Sequence, residues 1–397
     1  MIRSFRRLLT IAFLGSVVLP PVAVISSMHS VGQNLAPGGK LKIACYCLLA
    51  AASVLGFLAS ARKFEPSLVQ ESLHQGEFLD LLRSSLVPLG IVIAAGLSLF
   101  LELAMIRWQA SMFEFFAFYK NFGLLACFAG LGIGYATARH REGVPLCLSI
   151  VLFAWQFALL TFLRYGLPFG QSSSLEVIPF REQLNMGVDA AKPTQMAVIY
   201  LLLIVVFLLT ALAFLPIGQL CGRLMDHTRQ LKAYGLNLFG SLLGVVLMFV
   251  VSSLWTPPVI WFGLSFLTLI FFVVRRSKSL FFAFSFSVLA LLILAWPSNP
   301  LWNRIYSPYQ LLELGYGDNG LLRIRAAGHY YQRVHNLSSV AVRATTDPKL
   351  LRIRNYYELP YRIAGDGGMS QSLARDPAMT WRLLFVPERG TCACCRK

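Results

Sequence analysis

Met196–Leu215 reads MAVIYLLLIVVFLLTALAFL and contains no charged residue. A helix of that length rises about 30 Å, the depth of a bilayer's hydrocarbon core. Eight further apolar stretches of similar kind occur along the chain. They are Leu8–Ile25, Leu41–Ser60, Leu86–Ile106, Phe122–Ala138, Val144–Leu163, Leu236–Leu254, Val259–Val274 and Leu280–Ala295. The pattern predicts an all-α polytopic membrane bundle of about 8–9 transmembrane helices over residues 1–296, followed by a small, partial β-hairpin/α domain.

Composition points the same way. Hydrophobic residues make up 56% of the chain and charged residues 13%, against about a quarter charged in soluble domains. The formal charge of +17 is not spread as a nucleic-acid stripe. It lies in short clusters between apolar runs, such as Arg3, Arg6 and Arg7, Arg139 and Arg141, and Arg275, Arg276 and Lys278. Such clusters mark cytoplasmic loops. The implied partner is the lipid bilayer, crossed several times, with a homo-oligomer compatible and nucleic acid excluded.

The first run has the basic start of a signal peptide. However, Pro20 and Pro21 interrupt it and no small-residue cleavage site follows, so it reads as a span or signal anchor. Two long loops of mixed charge are expected, Ala61–Ser85 and Arg164–Gln195, and a tight turn at Thr256, Pro257 and Pro258. With the N-terminus inside, Arg139, Arg223 and Arg275 all fall inside. Nine spans then place everything after Trp296 outside, although Arg323, Arg325, Arg352 and Arg354 favour the cytoplasmic side, so either one span is miscounted or the basic-loop reading fails.

Beyond Pro297 the periodicity changes. Tyr309–Leu314 and Leu321–Ala326 flank Asp318-Asn319-Gly320 and predict a β-hairpin. Asp347–Ile363 predicts a short helix giving way to an extended Leu359-Pro360 step.

Ionisable and polar groups within spans are the first functional candidates. Glu102 and Arg107 lie five residues apart on the third span, which does not place them on one face. The plain reading of Arg107 and Trp108 is an interfacial anchor. Gly130, Gly132 and Gly134, and the pair Gly240 and Gly244, read as close-packing positions rather than a nucleotide loop. Asn237 can hydrogen-bond between helices. No histidine or cysteine spacing fits a metal site, and no catalytic triad is visible.

Several of these pieces occur together, in order: Glu102-x-x-x-x-Arg107, the run Gly130–Gly134, Tyr234-Gly-Leu-Asn237-Leu-Phe-Gly240, Ser307-Pro308-Tyr309-Gln310, and Tyr356-Tyr357-Glu358-Leu359-Pro360-Tyr361-Arg362. In this the chain resembles membrane-anchored spermidine-synthase-like proteins, which are polyamine aminopropyltransferase homologues fused to a multi-span region. The resemblance implies that residues 297–365 form part of a spermidine-synthase-like β subdomain. It also implies that Gln310, with Tyr309, helps hold a decarboxylated S-adenosylmethionine-type cosubstrate, and that His329 and Gln332 belong to the next strand, near the substrate.

The family continues into a cosubstrate-binding domain that opens with a glycine loop. Residues 366–397 contain neither that loop nor the acidic ribose partner nor a catalytic aspartate. No catalytic residue and no bound cofactor are therefore expected in this chain. Read one base earlier, the codons for Leu373–Leu384 admit GAGPGNDVAAA and those for Pro387–Cys392 admit GARHV. The expectation is a shift of reading frame between about Gly365 and Leu373, leaving 366–397 as an out-of-frame or disordered tail. Cys392, Cys394 and Cys395 then carry no chemistry. The sequence thus predicts a membrane protein inactive as a transferase, or alternatively a transporter or scaffold with Glu102, Arg107 and Asn237 along a polar path.

Overall fold

The computed structural model describes residues 2–31, 37–113, 116, 120–140, 143–165, 193–273, 277–296, 302–316, 322–326, 329–335, 337 and 348–363. The tail after Ile363, most of the loop before Pro193 and the Asp318–Gly320 turn lie outside them. The chain divides into two compact units, residues 1–313 with 325–329, and residues 314–324 with 330–397.

The first unit contains α1 (Ile2–Val31), α2 (Pro37–Asp80), α3 (Val87–Met112), α4 (Lys120–Thr137), α5 (Cys147–Tyr165), α6 (Pro193–Asp226), α7 (Gln230–Ser253), α8 (Pro258–Phe272) and α9 (Ser277–Ala295). Among the described residues, five segments are long and apolar enough to cross a membrane: Arg3–Val22, Val87–Met112, Cys147–Arg164, Ala197–Asp226 and Gln230–Ser253. Asn121–Thr137, Pro258–Phe272 and Ser279–Ala295 are apolar but shorter.

Contacts fix the order of the helices. A methyl group at Gly130 would collide with the Ala211 carbonyl, and one at Gly134 with the Leu215 carbonyl. The backbones of α4 and α6 therefore touch, as small residues allow. Gly240 and Gly244 of α7 meet Val92 and Gly96 of α3 in the same way. Gly132, expected to pack like its neighbours, faces open space. The α3–α7 seam is parallel, because Gly96 lies at Gly240 while Arg107 reaches Ser252. Trp108 of α3, Phe153 and Phe157 of α5, Phe214 of α6 and Phe262 of α8 form a fully buried aromatic core.

The bundle has two distinct ends. One carries Arg139, Arg223 and Arg229 with the starts of α3, α5, α7 and α9. The other carries the ends of α3, α5, α7 and α9, from which β1 follows.

Three expectations are corrected. Ala61–Ser85 is not a loop, since α2 continues to Asp80. Ser72, Gln75, Gly76 and Leu79 form its buried stripe, a helical spacing hidden by polar residue types. Pro20 and Pro21 sit inside α1 instead of breaking it. The Leu359-Pro360 step is helical, within Pro348–Ile363. Proline's fixed φ suits a helix, and its cost is one hydrogen bond and some crowding of the residue before it. Most of Leu41–Ser60 has side chains outside the described set, although its backbone belongs to α2.

Four strands follow: β1 (Trp302–Tyr306), β2 (Leu311–Tyr316), β3 (Leu322–Ala326) and β4 (His329–Val334), paired in the order β1-β2-β3-β4. The predicted hairpin runs become β2 and β3, extended by a strand on each side. In the second unit, α10 (Pro348–Ile363) carries an Arg354–Glu358 pair one turn apart.

Candidate functional site

Two gatherings of charged and polar side chains within the first unit involve the residues singled out in the sequence. The first is where the bundle meets β1 and β2. Arg107 donates to the Ser252 hydroxyl and to the Ser307 carbonyl, and its guanidinium lies 4.5 Å from the Trp261 ring. It therefore grips the SPYQ turn rather than anchoring at a lipid interface. Trp108 is not an anchor either. It is buried, with its ring 4.5 Å from that of Phe157.

Arg164 is the second fixed cation here. It donates to the Ser111 carbonyl, and at 2.8 Å to the Met112 carbonyl, in the last turn of α3. A positive charge there satisfies carbonyls that have no helical partner and complements the helix dipole. Glu313 of β2 lies 3.7 Å from Arg164 and 3.4 Å from Arg304 of β1. One buried carboxylate thus serves two guanidinium groups. Sequence reasoning had assigned Arg164 to a loop; its role depends on a partner 149 positions away in the chain.

Ser307 closes the SPYQ turn: its hydroxyl donates to the Gln310 carbonyl at 2.8 Å and accepts from the Gln310 amide at 3.2 Å. This makes Ser307 the shaping residue of the turn. Two of the side chains implicated by resemblance are open to solvent among the described residues. Tyr309 is 91% exposed and Gln310 is exposed. His329 and Gln332 lie on β4, with side chains outside the described residues. The adjoining cleft, lined by Trp108, Ser111, Thr161, Arg304 and Tyr306, encloses about 20 Å³. That is room for about one or two waters.

The second gathering lies inside the bundle. Thr210 of α6 accepts from Gln109 of α3 at 3.1 Å and from Gln156 of α5 at 2.9 Å, and all three are buried. Glu102 is 1% exposed, and its Oε2 has no hydrogen-bond partner among the described residues. Asn237 accepts from the Tyr135 hydroxyl at 3.2 Å. The structure therefore does not join Glu102, Arg107 and Asn237 into one path, because Arg107 turns to the strands. Gln109, Gln156 and Thr210 went unnoticed in the sequence, where each is a single polar residue within an apolar run.

No family model matches the chain, nor does any curated protein or solved structure match it significantly, so the reading of its function stands on this geometry.

Proposed function

We propose that the chain is an integral protein of the cytoplasmic membrane, crossing it eight or nine times and holding a spermidine-synthase-like β segment at its outer end. The apolar surface supports the membrane part. Leu238, Phe239, Leu242, Leu243, Val246 and Phe249 of α7 are all exposed. In water each would forgo roughly 25 cal/mol per Å² of burial, and so broad an apolar face is foreign to soluble monomers. Lipid removes that penalty. The shorter helices α4, α8 and α9 run between the same two ends as their long neighbours, which supports counting them as spans.

The observation that carries the anchoring role is the pair of grips on residues 307–313. Arg107 holds the Ser307 carbonyl and Arg164 faces Glu313. These contacts fix the start of the β segment to the bundle without forming a substrate cavity.

Orientation follows from the positive-inside rule. Arg139, Arg223 and Arg229 belong to the end opposite β1, so that end faces the cytoplasm and the strands face outward. Alkaline phosphatase fused after Arg304 should be active, and a green fluorescent protein fused there should be dark. The reverse pair of results would overturn the orientation.

By this reading the β segment does not transfer an aminopropyl group by itself, because residues 297–365 supply no glycine loop for the cosubstrate. Purified chain given decarboxylated S-adenosylmethionine and a diamine should release no methylthioadenosine above the protein-free rate. Turnover would refute the scaffold reading.

A further inference from the structure

We propose that the interior of the bundle carries protons across the membrane through Glu102. This inference depends on the membrane reading above but not on any role for the β segment. A carboxyl buried to 1% exposure in an apolar helix is costly to keep. Here its Oε2 has no hydrogen-bond partner among the described residues.

Its surroundings form a polar column in an otherwise apolar core. Ser98, Glu102 and Gln109 are spaced four and seven residues apart, which places them on one face of α3. Toward the basic end, the Tyr135 hydroxyl of α4 donates to Asn237 of α7 at 3.2 Å. Cys127 of α4 and Cys221 of α6 are both buried in the same core. Toward the other end, Gln109, Thr210 and Gln156 are joined by hydrogen bonds. A methyl group at Gly123 would come within 2.8 Å of Gln109 Oε1, so glycine keeps the space beside that oxygen open.

The one wide step is between Glu102 and Gln109, about 10 Å along the helix axis. Bridging it requires water, which a polar site admits and an apolar one does not.

Away from their ends, the helices packed against α3 offer Cys127 and Tyr135 of α4 and Cys221 of α6 as titratable groups facing this column. Arg164, Arg223, Asp226 and Lys232 lie at helix ends, and α8 has none. Glu102 is the carboxyl group among these side chains, and the relay is assigned to it. The step needs no co-reactant. An O–H bond forms at the carboxylate on one side and breaks toward the other, driven by the gradient.

The test uses the whole chain in liposomes containing a pH-sensitive dye, under a potassium diffusion potential. Flotation establishes insertion, and thermal unfolding in detergent establishes that variants fold. The wild type should acidify vesicles at least tenfold faster than protein-free vesicles. Glu102→Gln should abolish the excess, Glu102→Asp should retain part of it, and a hydrophobic carbodiimide should label Glu102 and block flux. Wild-type vesicles that float yet acidify at the protein-free rate overturn the relay while leaving the scaffold reading intact. Full flux from folded Glu102→Gln also overturns it. A chain that does not float overturns both.

Discussion

Replacing Glu313 with leucine should lower the stability of the detergent-solubilised chain by about 3–5 kcal/mol, the usual effect of removing one partner from a buried ion pair. Glu313 and Arg164 are both almost fully buried, and Arg304 is mostly so. Loss of the carboxylate leaves two guanidinium groups facing each other across the space it occupied. Arg164→Met should cost less, about 2 kcal/mol. It removes donors from the α3 carbonyls but leaves Glu313 paired with Arg304. In the double variant the two losses should fall short of their sum, because residues in direct contact are coupled. Chemical unfolding followed by tryptophan fluorescence measures all three. A Glu313→Leu protein within 1 kcal/mol of wild type would show that the grip contributes little.

The second large effect concerns the α4–α6 contact. Gly134→Leu would force a side chain into the space held by the Leu215 carbonyl and Gly218. Overpacking typically costs about 1–3 kcal/mol, and rigid backbone on the far side puts this site at or above the upper value. Gly132→Leu, two residues away, meets open space. It should change stability by no more than about 0.5 kcal/mol, apart from a small gain in helix propensity. Thermal unfolding of the two variants side by side reads the difference. Equal losses would mean that α4 and α6 are not in backbone contact.

These two predictions differ in how far the sequence could have reached them. The glycine spacing on α4 and α7 announces close helix packing, but not which glycine faces a neighbour and which faces outward. The spans were legible because runs such as Met196–Leu215 leave a helix no alternative environment. Ser72, Gln75, Gly76 and Leu79 were not, since a polar stripe that is buried by a neighbouring helix resembles a solvated loop in one dimension. Arg164 and Glu313 were illegible for another reason. Their chemistry is a pairing across distant parts of the chain, and nothing local marks either residue as buried. The SPYQ turn was recognisable, yet attention went to Gln310 and Tyr309 when it is Ser307 that shapes the turn and is held by Arg107.

The parallel seam between α3 and α7 also sets a schedule for synthesis. Gly96 leaves the ribosome long before Gly240, with α4, α5 and α6 to be made in between. At about 5–20 residues per second, the interval is roughly 7 to 30 s. Throughout it, the glycine face of α3 has no permanent neighbour, and Glu102, one to two turns further along, waits in a bundle still open to lipid and water. A newly made α3 must therefore be sheltered by the insertion machinery or by a transient helix contact until α7 arrives.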